Sequence, residues 1–282
     1  MTAPIRWPAE AVWEAVAPLL PGFTVEVLPS IDSTNTELMR RARAGQTEPT
    51  LLVAEQQTAG RGRLGRVWQS DVGASLMLSL GLPMAPRDWS GLSLAVGVSV
   101  AESLQPTLPP PGSALPRIGL KWPNDLWLGG AQGDRKLGGI LVETASFVAP
   151  QSAPGAPAAP GRYVVVGVGL NVRAHDGAGM SLPPGGLQEV DAQLDAPTAL
   201  LRIVAPLVGM LQSFAAYGFA PMQPRFALRD VLQGRSVQLS DGRSGTAHGV
   251  GEDGALLVHT ADGMLPVTSS EISVRPVAAT MP

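Results

Sequence analysis

The sequence predicts an α+β protein in which a mixed sheet with packed helices is followed by a small β-barrel. First, apolar strand-like runs alternate with helix-like segments up to about residue 230. Second, from Gly234 onward short strand patterns are separated by Asp-Gly and Gly-rich turns, which is typical of a small all-β domain. Third, a chain of 282 residues with 45% apolar residues can bury a substantial core. We therefore place the domains at residues 1–230 and 231–282.

The first part of the body alternates between strand and helix patterns. Thr34 and Glu37 stand at capping-box spacing, and Gly45 can end the helix that follows them. The last segment of this part is long, apolar and rich in small residues, which indicates a buried helix. The predicted elements are a strand at 23–28, a helix at 35–44, strands at 50–55 and 74–80, and a helix at 89–104.

Two proline-rich tracts interrupt the second part of the body. Residues 105–116 are too rich in proline to form regular structure. Residues 149–161 are a low-complexity loop between two apolar strands, which we expect to pair as a hairpin with an expanded tip. Asp195 followed by Pro197 marks a helix start, and Pro206 predicts a kink or break in that helix. The predicted elements are strands at 117–120, 125–128, 136–146 and 162–172, and a helix from 195 to 217.

Composition and charge narrow the classes of function. A formal net charge of -3 and a pI near 5.6 argue against a sequence-blind nucleic-acid binder, which needs a broad cationic surface. The absence of cysteine excludes disulfides and thiolate metal sites. The N-terminus has no apolar run of signal-peptide length, and Arg202 and Pro206 interrupt the most apolar segment. We expect a cytoplasmic protein that binds neither nucleic acid nor membrane.

Residues 60–67, GRGRLGRV, match two nucleotide-loop patterns, the dinucleotide fingerprint and the kinase glycine loop. The dinucleotide pattern requires a helix directly after the third glycine, whereas a strand pattern follows here. The kinase pattern requires a lysine on the next strand and the H-R-D and D-F-G elements, which the sequence lacks. The remaining interpretations are a loop whose arginines bind carboxylate or phosphate oxygens, and an exposed basic loop without a ligand.

Three further clusters place glycine or proline beside polar residues at strand ends. KWPNDLW (121–127) alone indicates an ordinary turn in which Asn124 and Asp125 bond their own backbone. DRKLGGILVE (134–143) alone indicates an edge-strand lysine, and GVGLNV (167–172) alone indicates a β-bulge. All three in one body, together with the arginine loop, favour a shared ligand site.

Five motifs follow one another along the chain: DSTN (32–35), QTAGRGRLGRVW (57–68), KWPNDLW (121–127), RKLGGILVE (135–143) and GVGLNV (167–172). In this order they resemble the biotin protein ligase family, over about residues 25–276. The resemblance implies a biotin/lipoate ligase-type catalytic domain, similar to class II aminoacyl-tRNA synthetases, and then an SH3-like barrel. It implies a biotin–[biotin carboxyl-carrier protein] ligase, which activates biotin as biotinyl-5'-adenylate and transfers it to a carrier lysine.

The resemblance also implies the residues of the site. Arg63 and Lys136 are the expected catalytic cations, because negative charge builds up when a carboxylate attacks an α-phosphate. Asp125 is one candidate for the proton acceptor in the transfer step, which the sequence leaves open. ATP and Mg2+ are the expected cofactors, and no side chain is assigned to a metal. The residues expected to bind biotin are Ser33, Thr34, Asn35, Gln57, Gly60, Arg61, Gly62, Arg63, Lys136 and Gly139. Those expected to bind ATP or the adenylate are Arg61, Arg63, Arg66, Trp68, Lys121, Asn124, Asp125, Asn171 and Arg275.

The implied partner is a biotin carboxyl carrier protein or domain of a biotin-dependent carboxylase, and a homodimer is left open. About 25 residues precede the first matched strand, fewer than a three-helix DNA-binding domain needs, so we expect a ligase without DNA binding. One alternative is a lipoate or octanoate protein ligase of the same fold. Another is a non-catalytic biotin- or nucleotide-binding protein, which would not need Arg63 and Lys136 together.

Overall fold

A computed structural model gives the fold, and it describes residues 4–110, 112–148, 160–175, 182–268 and 274–276. The α-helices are α1 (Ala9–Val16), α2 (Thr34–Arg43), α3 (Leu92–Leu104), α4 (Ala196–Tyr217) and α5 (Gln223–Ala227). The strands of the body are β1 (Thr24–Leu28), β2 (Thr50–Ala54), β3 (Ser75–Pro83), β4 (Arg117–Lys121), β5 (Asp125–Gly129), β6 (Arg135–Val148) and β7 (Pro160–Asn171). The remaining strands are β8 (Ser236–Leu239), β9 (Ser244–Val250), β10 (Leu256–Thr260), β11 (Gly263–Val267) and β12 (Val274–Pro276).

Strands β1 to β7 form one mixed sheet in the order β1-β2-β3-β7-β6-β5-β4. The β1–β2 pair is parallel and the other neighbours are antiparallel. β6 and β7 form the predicted hairpin. Of the loop expected at 149–161, residues 149–159 lie outside the described residues, and Pro160 and Gly161 belong to β7. Strands β8 to β12 form a separate antiparallel sheet in the order β11-β10-β9-β8-β12. The predicted α+β class, with a mixed sheet followed by a C-terminal β domain, is confirmed.

The central strands of the mixed sheet are covered on both faces. Successive side chains of a strand point to opposite faces, and the even-numbered residues from Val164 to Leu170 join the large core that includes α3 and α4. The odd-numbered Val165 packs instead with Leu38 of α2. The same alternation holds in β3 and, from Ile140 onward, in β6. Odd-numbered residues of these three strands therefore point toward α2.

Helix α2 begins one residue earlier than predicted. Its N-cap is Ser33, whose hydroxyl accepts a hydrogen bond from the Thr36 N–H at 3.4 Å. The predicted capping box between Thr34 and Glu37 is therefore wrong, and Glu37 pairs with two arginines of its own helix instead. The side chain of Thr34 is left for a tertiary contact.

Three further expectations about the elements change. The sequence predicts a kink or a break at Pro206; helix α4 is continuous through this residue, so a break is wrong, and a kink stays a prediction. Proline has no backbone N–H, so the carbonyl of Arg202 lacks its usual donor within the helix. Arg202 and Pro206 are both exposed, so water can donate to that carbonyl instead. Strand β7 keeps an unbroken register with both neighbours, so its glycines do not mark a bulge. Helix α1 was not predicted, because eight residues give only a weak helical pattern.

Helix α4 is long and apolar enough, by length and composition, to cross a membrane. Its apolar residues have another explanation, since Leu200, Leu207 and Phe214 are fully buried in the core that also contains α3. The core helix of a globular protein passes the same test of length and composition. The helix is therefore only weak evidence for a membrane span.

The two sheets share a buried core. The indole N–H of Trp122 donates to the carbonyl oxygen of Gly254 at 3.1 Å, and both residues lie in the interior. The Val231 N–H donates to the Leu120 oxygen at 3.1 Å, which fastens the segment between the sheets to strand β4. The domain boundary at residues 230 and 231 stays a prediction.

Candidate active site

A cavity of about 360 Å³ lies on the α2 face of the mixed sheet, over β3, β6 and β7. Its walls are the N-terminus of α2, the turn between β4 and β5, and the arginine–glycine loop (residues 60–68). Except for Gly60 and Arg275, every predicted site residue lines this cavity. These lining residues are Ser33, Thr34, Asn35, Gln57, Arg61, Gly62, Arg63, Arg66, Trp68, Lys121, Asn124, Asp125, Lys136, Gly139 and Asn171.

Uncharged polar groups at the N-terminus of α2 form one end of the cavity. The backbone N–H of Thr34 donates to Gln57 Oε1 at 2.8 Å, and the Thr34 hydroxyl lies 3.2 Å from the same oxygen. The hydroxyl of Ser79, on β3, lies 2.7 Å from the Thr34 hydroxyl and is fully buried. This end can therefore bind a neutral group that offers hydrogen-bond donors and acceptors.

The carboxamide of Asn35 ties this end to strand β6. Its Oδ1 lies 2.6 Å from the Ser79 hydroxyl, and its Nδ2 donates to the Leu141 carbonyl at 3.1 Å and to the Glu143 carboxylate at 3.0 Å. Asn35 is only 4% exposed, so its orientation is set by these three partners. Glu143 also forms a salt bridge with Arg61 of the arginine–glycine loop.

The glycines of β7 make room for side chains that cross the sheet. A Cβ on Gly167 would lie 2.1 Å from Asn35 Oδ1, and a Cβ on Gly169 would lie 2.7 Å from the Trp68 indole. Both distances are too short for real atoms, so neither position accepts a side chain without displacing its neighbour. On β6, a Cβ on Gly138 would lie 2.5 Å from the Gly169 oxygen. Close approach, and not a bulge, explains the GVGLNV motif.

The other end of the cavity is cationic. Lys136 Nζ donates to Asp125 Oδ1 at 2.8 Å. Asn124 donates to the Ile140 carbonyl at 2.8 Å and lies 3.5 Å from Arg63, whose Nη1 donates to Asn124 Oδ1. The side chains of Asn124 and Asp125 thus contact β6 and the loop, so the ordinary-turn interpretation of this motif is wrong. Lys136 stands on a strand with neighbours on both sides, so it is not an edge-strand lysine.

Burial changes the acidity of two of these cations. Lys121 is 9% exposed, and burial lowers its pKa from the usual 10.5 to about 8, against the opposing charge of Asp125. Lys136, Arg66 and Arg63 lower it further by repulsion. Burial also lowers the pKa of Arg63, which the charge of Asp125 partly offsets. These cations crowd one another, and an anion bound between them would relieve their repulsion.

The arginine–glycine loop folds back on itself. The Trp68 N–H donates to the Gly60 oxygen at 2.9 Å, and the Gly62 N–H donates to the Arg66 oxygen at 2.7 Å. A Cβ on Gly60 would lie 2.7 Å from the Trp68 oxygen, so this glycine shapes the base of the loop and does not line the cavity. At the tip, Leu64 has a φ of 55° and is 64% exposed.

Arg275 lies apart from the other predicted residues. It is exposed on β12 and pairs with Gln238 of β8, and it does not line the cavity. Its predicted contact with the nucleotide stays a prediction.

Several lining residues were missed from the sequence, including Met77, Gly167, Gly169 and His175. The alternation along β3 and β7 could have found the first three, because odd-numbered positions of these strands face α2. No sequence signal pointed to His175. Among the described residues, Trp68 Nε1 and Asn171 Oδ1 are buried without a hydrogen-bond partner.

The charge of the cavity contrasts with that of the chain. Among the described lining residues, five are lysines or arginines (Arg61, Arg63, Arg66, Lys121 and Lys136), and Asp125 is the only carboxylate. The whole chain has a net charge of -3. A cationic cleft of this kind attracts anionic groups. The arrangement therefore suits a substrate with one neutral polar end and one anionic end, together with a phosphate-bearing partner.

Two family models match the chain. The Biotin/lipoate A/B protein ligase family matches residues 27–152, and the Biotin protein ligase C terminal domain matches residues 234–275. Among curated relatives, the bifunctional ligase/repressor BirA of Escherichia coli is 34% identical over 263 residues, which cover 91% of this chain and 75% of that protein. The biotin–[acetyl-CoA-carboxylase] ligase of Paracoccus denitrificans is 28% identical, and the match covers 87% of this chain and 98% of that protein.

Solved structures agree with these matches. The biotin protein ligase of Aquifex aeolicus in complex with biotin and ATP superposes with a TM-score of 0.69 at 26% identity, and the match covers 90% of this chain and 99% of that one. A biotin protein ligase-like protein of unknown function from Silicibacter has a TM-score of 0.62 at 19% identity. That match covers 88% of this chain and 95% of the other, and it shows the fold alone.

Proposed function

This chain belongs to the biotin protein ligase family, and we propose that its cavity joins biotin to ATP as biotinyl-5'-adenylate and then passes the biotinyl group to a lysine of a carrier protein. The predicted family and enzyme class, a biotin–protein ligase, are confirmed. One observation carries the proposal for this cavity, namely that a neutral polar end and a cationic end meet in it. Biotin has the same polarity, with an uncharged ureido ring at one end and a carboxylate at the other.

The neutral end suits the ureido ring. Thr34, Gln57 and Ser33 present hydroxyl and amide groups there, and a cyclic urea offers two N–H donors and one carbonyl acceptor. Lipoate and octanoate have no such group at the end remote from their carboxylate, so they could not use the hydrogen-bonding capacity that these side chains offer to the cavity. The relatives and the C-terminal match also favour biotin over the lipoate alternative.

The cationic end suits adenylate formation. A biotin carboxylate oxygen attacks the α-phosphorus of ATP, the bond to the bridging oxygen breaks, and pyrophosphate leaves. We assign Lys136 and Arg63 to stabilise the negative charge that builds up on the phosphoryl oxygens. No general base is needed in this step, because a carboxylic acid is already ionised at neutral pH. Asn171 and Trp68, whose buried Oδ1 and Nε1 atoms have no partner in the described chain, are assigned to the nucleotide.

Transfer to the carrier requires a neutral amine. The carrier lysine gives a proton to a base, its nitrogen attacks the acyl carbon of the adenylate, and AMP leaves. Asp125 is our choice for the base, because no other carboxylate lines the cavity within the described residues. Its partner Lys136 is drawn toward the phosphate once the adenylate is bound, which leaves Asp125 able to accept a proton.

Mg2+ enters the proposal as part of the substrate MgATP. Within the described residues no group of three or more His, Cys, Asp or Glu could hold a metal ion. Nucleotide-bound Mg2+ is coordinated largely by phosphate oxygens and water, so a site with few carboxylates fits it. We assign it no protein ligand, and its contribution is to neutralise the charge of the leaving pyrophosphate.

The partner and location remain proposals, and the homodimer stays a prediction. We propose a biotin carboxyl carrier protein as acceptor, a cytoplasmic location, and no binding to nucleic acid or membrane. The net charge of -3 supports the lack of nucleic-acid binding. Specific protection of an operator sequence by this chain would contradict that part.

ATP–pyrophosphate exchange tests the proposed function. Exchange should be stimulated by biotin and not by octanoate. Stimulation by octanoate alone would support the lipoate alternative, and tight biotin binding without exchange would support a non-catalytic binder. A second assay adds a carrier domain, and mass spectrometry should find one biotinyl group on a single lysine.

A further inference from the structure

We propose that Glu143 is a positioning residue that sets the direction of the hydrogen bonds beneath the ureido ring, and so makes Thr34 Oγ1 and Gln57 Oε1 acceptors for the two ureido N–H groups. The inference rests on the proposed function. Glu143 ends the motif RKLGGILVE, but it does not line the cavity. It acts through Asn35 and Ser79, which lie behind the residues that would contact the ligand.

Three neighbouring strands hold this network in place. Ser79 of β3 pairs with Gly167 of β7, and Gly167 pairs with Leu141 of β6, so the three residues form a row across the sheet. The Asn35 carboxamide lies over the glycine in the middle of this row. It therefore reaches Ser79 on one side and the Leu141 carbonyl on the other.

Glu143 and the Leu141 carbonyl together determine which way the Asn35 amide points, and Glu143 is the charged partner. A carboxylate and a backbone carbonyl only accept hydrogen bonds, and these two groups face one side of the Asn35 amide at 3.0 and 3.1 Å. The NH2 group must face them, and the bond to a carboxylate is the stronger kind. A flipped amide would place Oδ1 against two acceptors. Asn35 Oδ1 therefore points to Ser79.

The direction passes from Asn35 to the cavity. Asn35 Oδ1 can only accept, so the Ser79 hydroxyl donates its single proton to this oxygen, 2.6 Å away. The Ser79 oxygen then accepts from the Thr34 hydroxyl at 2.7 Å, which is shorter than the alternative of 3.2 Å from Thr34 to Gln57. With its proton used, Thr34 Oγ1 offers only lone pairs to the cavity, next to those of Gln57 Oε1. Two adjacent acceptors match the two N–H groups of a cyclic urea.

The salt bridge between Glu143 and Arg61 is a separate effect. The Arg61 side chain is 46% exposed and that of Glu143 is 24% exposed, and an ion pair of this exposure contributes little stability. The main effect of Glu143 is expected on the buried network and not on the arginine–glycine loop.

The test uses Glu143→Gln, which keeps the shape and removes the obligatory acceptor. We expect the biotin Kd to rise about 10- to 100-fold, with the KM for ATP changed less than about threefold. Ser79→Ala should act in the same direction. Glu102→Gln is the matched control, because Glu102 forms another partly exposed pair with an arginine, Arg225, and does not line the cavity. Its biotin Kd should stay unchanged.

A ligand series separates positioning from a merely structural role. A biotin analogue methylated on one ureido nitrogen lacks one N–H, so the wild type should prefer biotin strongly. In Glu143→Gln the ratio of the Kd of the analogue to the Kd of biotin should shrink by about the factor by which the biotin Kd rises. Equal weakening of both ligands in Glu143→Gln, or an Arg61→Gln variant that reduces the preference for biotin by the same factor, would overturn the inference. Wild-type exchange that does not respond to biotin would instead refute the proposed function, so the two failures can be told apart.

Discussion

Lys136 donates a hydrogen bond of 2.8 Å to Asp125, the only carboxylate among the described residues that line the cavity. The two residues come from neighbouring strands, and both side chains are partly buried. An anion at this end competes with Asp125 for the lysine. The pair therefore connects the charge stabilisation needed for adenylate formation with the base needed for transfer.

Substitutions in this pair should separate the two steps. Lys136→Gln removes the cation, and we expect adenylate formation to slow about 100-fold in single-turnover measurements. Asp125→Asn leaves the cation but removes the base, so transfer to the carrier should slow more than adenylate formation. Equal slowing of both steps in Asp125→Asn would contradict the role assigned to this carboxylate.

The pKa of Lys121 predicts a pH effect on nucleotide binding. Burial lowers this pKa to about 8, so the free protein loses the charge as pH rises through 8. ATP affinity should then fall by up to about tenfold per pH unit above 8. The Lys121→Arg variant stays charged over this pH range, so its affinity for ATP should not fall. Calorimetric titrations at several pH values would measure both.

The same lysine has an opposite effect on stability. Between pH 8 and 10.5 the unfolded chain holds a proton that the folded protein has lost, so the contribution of Lys121 to stability rises with pH. A constant or falling contribution in this window, measured as the difference between wild type and Lys121→Met, would show that burial does not lower its pKa.

Arg63→Ala should loosen the arginine–glycine loop. Arg63 donates to Asn124 at 3.5 Å and lines the cavity, so its loss removes a cation next to the adenylate. We expect biotin to bind more weakly and biotinyl-adenylate to be released at least about tenfold faster, as measured by rapid filtration. Arg43→Ala, an exposed arginine at the end of α2 outside the cavity, is the control. Unchanged adenylate retention in Arg63→Ala would refute this role.

Gly169→Ala tests the contact between β7 and the indole. The new Cβ would lie 2.7 Å from Trp68, so the ring has to move, and we expect weaker adenylate binding with altered tryptophan fluorescence. Gly209→Ala is the matched control, because a Cβ added to this exposed glycine of α4 would have nothing within 4 Å of it. That change should stabilise the protein by up to about 1 kcal/mol and leave binding intact.

Asp230 predicts a second pH effect, on stability alone. Burial raises its pKa from 3.8 to about 6, so between these values the folded protein holds a proton that the unfolded chain releases. Its stabilising contribution is complete below pH 3.8 and is lost as pH rises through 6. Asp230→Asn should therefore raise the free energy of unfolding by about 1–3 kcal/mol at about pH 7.5 and leave it unchanged at about pH 3.5. An equal gain at both pH values in denaturant titrations would rule out titration as the cause.

The sequence alone determined the order of the elements and most of the site. Hydrophobic alternation located the strands, and the five motifs contain most residues of the cavity wall. These signals are local, since each depends on residues close together in the chain. The break expected at Pro206 failed for a tertiary reason, because the exposed face of α4 tolerates a lost hydrogen bond.

Only the tertiary structure decided what packs across the sheet. Asn35 and Glu143 are 108 residues apart in the chain, and no local pattern joins them or assigns Ser79 to the same network. The glycines of GVGLNV looked like a bulge because the sequence does not show that Asn35 and Trp68 cross β7 at those positions. Side-chain alternation tells which face of a strand a residue occupies, but the groups that cover this face come from distant segments, and their contacts form only when the chain has folded.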